Sequence, residues 1–461
     1  MTTVNDAGWT SRAGAPDDPA AEVVELLGRL IRADTSNPPG DVRPALAVLE
    51  DYFASNGLPV TVVGESPEFG NLVARLPGSG GGRSLLLLGH ADVVPADEDD
   101  WSEPAFSGAV RDGYVWGRGA LDMKNQVAAQ AVAIVRLARA AAAGTRLRGD
   151  VVFAATADEE TGVRCGARWL FAHHPELARA DFVINEGGCV LRRPGAAPLF
   201  LVHCGEKGYA NTVVRVSGRG GHGSMPRHDD NAVTGLAEVL SALAAYEPEV
   251  TAERIPAELI DLAVDDPGLR ARLKDPATAQ RAVRELARGD AALAGVIEPL
   301  LGLTLACTVV HTVGRAVNVI PAAAEIHIDC RVLPGQTADD VYREIGRALA
   351  GVGARWHIVS CDVVSGSLSD ASGLLFEAVA ASLAESVPGA VVVPGLFAAF
   401  TDSTHVRSAY PGVPAYGICP FVEEDFRALA PRVHSVDERV AVADLALQAD
   451  FFERVAARVA G

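Results

Sequence analysis

The stretch Ser84-Leu85-Leu86-Leu87-Leu88-Gly89-His90-Ala91-Asp92 decides the fold. Leu85 to Leu88 is continuously apolar, which suits a central strand covered on both faces, as in a parallel sheet. A glycine, a histidine and a carboxylate follow at once. Ligands of open α/β sheets gather at the carboxyl ends of such strands. Working outward, strands read at Val60–Val63, Asn71–Leu76, Asp150–Thr156 and Phe182–Asn185. Helices read at Asp18–Arg32, Pro44–Asn56, Ala128–Ala143 and Gly166–His174. Alternation of this kind predicts an α/β/α layer with a mainly parallel sheet.

The pattern changes after Gly208. Tyr209–Ser217 alternates like a strand with one exposed face, and a helix follows over Asn231–Tyr246. Residues 250 to 300 are charged and read as largely helical. Strands at Leu305–Thr312 and Ala324–Val332, a helix at Ala338–Ala350 and a strand at Ala354–Val359 complete the segment. Strand-helix-strand-strand-helix-strand is the ferredoxin-like order. The expected organisation is one domain over 18–207 and 367–461, with an inserted α+β domain over 208–366. The first domain resumes at the helix Leu374–Ser386 and ends on Val440–Val459.

The 461 residues exceed one ordinary core, in line with two domains. Hydrophobic residues make up 49% and charged residues 21%, which is a globular composition. With 40 basic and 59 acidic side chains the net charge is -19, which argues against nucleic acid or an anionic membrane as partner. The polar start, Met1 to Pro19, reads as a disordered tail without the pattern of a signal peptide. No apolar run of about 18 residues suggests a membrane span. A cytoplasmic protein is expected. The seven cysteines are odd in number and form no Cys-x-x-Cys, which speaks against a disulfide framework or a thiolate zinc site. Cys307 and Cys330 sit in apolar strand-like runs and are expected in the core.

Five segments concentrate acids and histidines. Gly89-His90-Ala91-Asp92 offers an imidazole, with Asp92 placed to hold its other nitrogen. Taken alone, a histidine at a strand end is more often structural. In Gly117-Arg118-Gly119-Ala120-Leu121-Asp122-Met123-Lys124, Asp122 stands at the mouth of a helix and reads as a ligand or as an N-cap. Ala157-Asp158-Glu159-Glu160-Thr161-Gly162 follows a buried strand. Its three adjacent carboxylates favour a cation over a merely solvated turn. Ile184-Asn185-Glu186 and Val433-His434-Ser435-Val436-Asp437-Glu438-Arg439 add a further carboxylate and a second histidine. A mixed His and carboxylate set without Cys suits zinc, cobalt or manganese in a catalytic site. There is no His-Glu-x-x-His, Gly-x-Ser-x-Gly or P-loop.

In order and wording these segments resemble the two-zinc peptidases that include aminoacylases, glutamate carboxypeptidase, succinyl-diaminopimelate desuccinylase and acetylornithine deacetylase. The likeness runs from about residue 20 to the end. It implies two Zn2+, with Co2+ or Mn2+ as substitutes. His90 and Glu186 would hold one metal, Glu160 and His434 the other, and Asp122 would bridge them. Asp92 would orient His90, and Glu159 would be the general base. A cis peptide is implied at Asp122–Met123.

The inserted domain shares the resemblance. Gly205-Glu206-Lys207-Gly208 resembles the family's passage into that domain. Gly220-Gly221-His222-Gly223-Ser224-Met225-Pro226 matches a segment whose His helps hold the oxyanion. Taken on its own, His222 is a loop histidine in a Gly-rich turn. Asn318 and Arg331 match lid residues that grip the substrate, and Arg suits a carboxylate through its two-pronged fork. Thr401-Asp402-Ser403-Thr404 matches a loop near the substrate, although relatives often carry Arg where Thr404 stands.

A Glu at position 186 accompanies carboxypeptidases and deacylases in the family. The expected reaction is hydrolysis of an N-acyl-amino acid or a short peptide with a free carboxylate. An aminopeptidase or dipeptidase is the alternative enzyme, and a non-catalytic metal-binding member the alternative class. A homodimer through the inserted lid/dimerisation domain is also expected.

Overall fold

The structure is a computed structural model. It describes residues 19–461 apart from 163–164, 193–194, 227–229, 252–255, 313 and 315. The tail expected over Met1 to Pro19 lies almost wholly outside the described residues, as does Asp18 of the first helix. The chain divides into two compact units. One contains the described chain up to Cys204, Ser369–Gly395 and Thr401–Gly461; the other contains Gly205–Leu368 and Leu396–Phe400.

The first unit is built on a mixed sheet. Its order runs Val60–Gly64, Gly70–Leu76, Val151–Thr156, Leu85–His90, Phe182–Asn185, Ala415–Gly417 and Leu199–Glu206. The four strands from Val151–Thr156 to Ala415–Gly417 are parallel to one another. The flanking strands pair antiparallel. Leu85–His90 is buried along its whole length. Leu85 and Leu87 join a core with the helices Pro19–Arg32, Lys124–Ala142 and Val442–Ala460. Leu86 and Leu88 face the other way, toward Leu170 and Phe171 of the helix Ala167–His173 and Val406 of the helix Ser403–Ala409. A run of four leucines is thus consumed by two helical layers, as period-two alternation requires when both faces are covered.

The second unit carries a four-stranded antiparallel sheet in the order Thr304–Thr312, Ala323–Val332, Gly208–Ser217 and Arg355–Val364. Helices Ala232–Ala245 and Ala338–Ala348 pack on one face, where Val214, Val216, Ile326 and Ile328 are buried. This is the ferredoxin-like arrangement. Four extra helices, Ala257–Ala263, Pro267–Leu273, Ala279–Ala287 and Ala291–Ile297, fill the charged stretch before Thr304. The buried Lys207 ammonium donates to the carbonyls of Pro299 and Gly302, each at 2.8 Å, and so ties down the end of that stretch.

Two local expectations need correction. Cys330 is buried, but Cys307 is exposed. It lies on Thr304–Thr312, which is an edge strand with a single paired neighbour. The long helix begins at Lys124, not Ala128, and its N-cap position is Met123 without a side-chain cap. Asp122 is therefore not a helix cap. All seven cysteines are free thiols. Among the described residues no helix is long and apolar enough to cross a membrane.

Truncating Leu87 to Ala opens a cavity in the middle of the first unit's larger core. The expected loss is about 2–5 kcal/mol, read as a lower urea midpoint than wild type. An unchanged midpoint would show that this strand is not the tightly packed centre described.

Candidate metal centre

Parallel strands end on the same side of their sheet, and here three of them release polar residues together. Leu85–His90 delivers His90, Val151–Thr156 leads to Asp158, Glu159 and Glu160, and Phe182–Asn185 leads to Glu186. Asp122 arrives from the turn before the helix Lys124–Ala142, and the peptide Asp122–Met123 is cis. His434 comes from the loop before the strand Arg439–Ala441. Asp437 anchors that loop by accepting from the Ser102 N–H and hydroxyl, both at 2.7 Å. The His434 backbone is left-handed, with φ 59°, a conformation that tertiary contacts must impose on a residue with a side chain.

The Asp122 carboxylate stands between the two imidazoles. Its Oδ1 is 3.2 Å from His90 Nε2 and its Oδ2 is 3.0 Å from His434 Nε2. His90 Nε2 also lies 3.7 Å from Glu186 Oε2, and His434 Nε2 lies 3.2 Å from Glu160 Oε2. One potential ligand atom from each of His90, Glu159 and Glu186 falls within 4.8 Å of the others; the same holds for His90, Asp122 and Glu160.

So many acids in one buried place perturb one another. Burial pushes the Glu159 carboxyl well above the usual range, and the Glu186 charge adds to this. Burial likewise raises Glu186 to about 7, against the pull of His90. Burial also acts to raise Asp122, but hydrogen bonds from His434 and His90 outweigh it and hold the group well below the usual value. The bonds to Asp122 and Glu160 lift His434 to about 10. For His90, burial opposes the charged form, yet Asp122, Asp92 and Glu186 together raise it well above its ordinary value. Clustered acids that resist ionising, facing imidazoles that hold protons, form a donor set that divalent cations fit: the cations replace the protons and offset the negative charge.

Asp92 touches both the His90 ring and the turn that carries Glu159 and Glu160. His90 Nδ1 lies 2.9 Å from the Asp92 backbone carbonyl and 3.6 Å from its carboxylate. The carboxylate also accepts from the backbone N–H groups of Glu159 and Glu160, both at 3.2 Å, and from Asn37 Nδ2 at 2.9 Å. Asp92 therefore holds the turn that presents Glu159 and Glu160. Asn37 also reaches Asp158 Oδ1 at 3.1 Å. Asp402 accepts from Thr156 Oγ1 at 2.9 Å, and Asn185 Nδ2 donates to Thr401 Oγ1 and Ser403 Oγ at 3.3 and 3.2 Å. The Thr401–Thr404 loop is thereby fastened beside the strands that carry the acids.

Sequence reasoning missed Glu438. Fully buried, it accepts from Arg118 Nη1 at 2.7 Å and from the backbone N–H groups of Leu121 and Asp122 at 2.6 and 3.1 Å. It clamps the backbone that carries Asp122. Its only sequence signal was a carboxylate four residues after His434. Lys124 was likewise given no role. It is wholly buried and donates to the carbonyls of Leu30 and Ala33 at 3.0 and 2.8 Å, and burial lowers it to about 7.

His222, Asn318 and Arg331 all belong to the second unit. The short pairing of Gly221–His222 with Val319–Ile320 brings His222 beside Asn318, whose carbonyl accepts from the Gly223 N–H at 2.8 Å. The His222 ring is exposed and lies 2.7 Å from Ser224 Oγ. Arg331, on Ala323–Val332, binds the Asp329 carboxylate at 3.0 Å.

Solved structures of similar fold include a metallo-carboxypeptidase of the M20 family from Sulfolobus solfataricus. It has a TM-score of 0.69 and 18% identity, and covers 96% of this chain and 99% of that one. Among curated proteins, a probable carboxypeptidase S-like protein of Dictyostelium discoideum is 28% identical over 80% of this chain and 70% of its own length. An N-fatty-acyl-amino acid synthase/hydrolase of Mus musculus is 27% identical over 79% and 72%. The description Peptidase family M20/M25/M40 matches residues 86–458, and the chain belongs to this family of hydrolases.

Replacing Glu438 by Ala leaves a buried guanidinium and two N–H groups unpaired. The expected loss is about 3–5 kcal/mol in unfolding experiments, together with weaker metal uptake. Wild-type stability and metal content in this variant would contradict the clamping role.

Proposed function

We propose that this chain is a two-metal amidohydrolase that cleaves an amide bond next to a free carboxylate, with N-acyl-amino acids or short peptides as substrates. The observation that carries the reading is the Asp122 carboxylate, which turns one oxygen to His90 and the other to His434. That is the arrangement of a ligand shared by two cations. His90 and Glu186 would hold one metal, and Glu160 and His434 the other. Zinc suits this cysteine-free set, with cobalt or manganese as substitutes. When bound, such a pair lowers the pKa of a water and polarises the scissile carbonyl.

Glu159 has no place in this ligand assignment. The Asp92 carboxylate fixes the turn on which it stands by accepting from the N–H groups of Glu159 and Glu160. Glu159 would accept the proton of the attacking water on a carboxylate oxygen and return it to the leaving nitrogen. The names of the two curated relatives support the substrate class, one pointing to N-acyl-amino acids and the other to a carboxypeptidase. On the resemblance, Arg331 and Asn318 would grip the substrate and His222 would help hold the developing oxyanion.

The test is hydrolysis of an N-acetyl-amino-acid mixture by metal-loaded enzyme. Glu159→Ala should keep its two metals and lose roughly 10²–10⁴-fold in kcat. Cleavage of amino-acid anilides but no N-acyl-amino acid would replace this reading with an aminopeptidase. Metal binding without any cleavage would leave the non-catalytic class.

Metal uptake should also depend on pH. Without metal, the bonds to Asp122 and Glu160 keep His434 protonated up to about 10, and the metal needs its neutral ring. Apparent affinity should therefore rise as pH increases from 6 toward 9, with proton release on binding measurable by calorimetry in buffers of different ionisation enthalpy. His434→Ala should flatten that rise; an equally steep rise would remove His434 from the ligand set.

A further inference from the structure

One other set of metal-ligating side chains converges among the described residues, in the second unit. His311, Glu325 and His327 each offer a ligand atom within 4.8 Å of the other two. The strand pairing creates the cluster. His311 on the edge strand stands opposite Glu325, and His327 lies two residues further along the same neighbouring strand. Alternation buries Ala324, Ile326 and Ile328 against the helices, so Glu325 and His327 both point to the open face. His311 Nε2 is 3.0 Å from Glu325 Oε2. The two imidazole rings lie 5.3 Å apart between centroids, tilted by 37°.

The carboxylate is already oriented. Arg215, opposite Glu325 on the other side, donates its Nε to Oε1 at 2.7 Å. Oε2 is left facing His311, as a supporting hydrogen bond leaves a ligand oxygen facing its metal. A simple ion pair between His311 and Glu325 needs only one imidazole. Bonds of about 2.0–2.2 Å place tetrahedral ligands roughly 3.4 Å apart, within reach of modest side-chain rotations here.

We propose that His311, His327 and Glu325 form a surface site for a first-row transition metal ion of the zinc, nickel or copper type. Two imidazoles and one carboxylate are the right donors for such ions and poor ones for magnesium or calcium. The ion would clip the edge strand Thr304–Thr312 to Ala323–Val332 and leave coordination positions open to water. The site stands independently of the reaction assigned to the first unit.

The test compares the full-length protein with His327→Ala and with the double variant His311→Gln/His327→Ala. Each is dialysed against micromolar Zn2+ near neutral pH, and metal per chain is measured by atomic emission. Wild type should hold one more zinc per chain than either variant, with equal hydrolytic activity and equal circular dichroism. Equal metal content overturns the proposal. Because the readout is a difference, it is unaffected by how many ions the first unit holds. As a second measurement, Cu2+ added to the zinc-loaded protein should give an electron-spin signal with nitrogen coupling in wild type. An undiminished intensity of that signal in the double variant would equally overturn the assignment.

Discussion

Asp122 sits between His90 and His434, and the surrounding structure serves to keep it there. A carboxylate taken out of water loses far more solvation than a single hydrogen bond returns. Here Asp122 shares its surroundings with Glu159, Glu160 and Glu186 at the end of strands whose bodies are completely buried. The strands force that location: four leucines cannot be covered on both faces unless the chain leaves the sheet at its edge, between the helical layers. Once there, the acids need positive charge. Two imidazoles supply part of it, and the opposed shifts of Asp122 and Glu186 show how unevenly that part is shared.

Around this cluster lies a ring of groups that hold the backbone. Asp92 gathers the N–H groups of Glu159 and Glu160, Glu438 gathers those of Leu121 and Asp122, and Asp437 gathers that of Ser102. In each case a carboxylate fixes a turn by accepting from main-chain donors. Such contacts place neighbouring side chains with little freedom, which catalysis by positioned groups requires. Lys124 adds a buried amine between Leu30 and Ala33, with Asp34, Asp92 and Glu438 contributing to its field.

The second unit solves a different problem. Its sheet buries one face against two helices and leaves the other open, so alternate residues become a polar surface. Across that surface the pairing lines up His311, Glu325, Arg215 and His357 in one row. Cys330 is buried by that alternation, whereas Cys307, opposite the buried Ile328, is exposed because its strand lies at the sheet edge.

The sequence by itself determined the parallel centre of the first sheet, the ferredoxin-like order of the second unit, and the five segments that meet at the metal centre. Those features are written in local period and composition: a four-leucine strand, alternation over Tyr209–Ser217, and acids placed directly after buried strands. The roles proposed within the centre came only through resemblance, because a lone His90 reads more often as a structural residue and a lone Asp122 equally well as a cap. Only the tertiary structure decided what holds the centre in place. Glu438 meets Asp122 across 316 residues of chain, and Asn37 meets Asp158 across 121. The Asp92 carboxylate, 3.6 Å from the His90 ring, also holds the main-chain N–H groups of Glu159 and Glu160. Hydrogen bonds depend on distance and direction between groups that chain order leaves free, so no local pattern can record them.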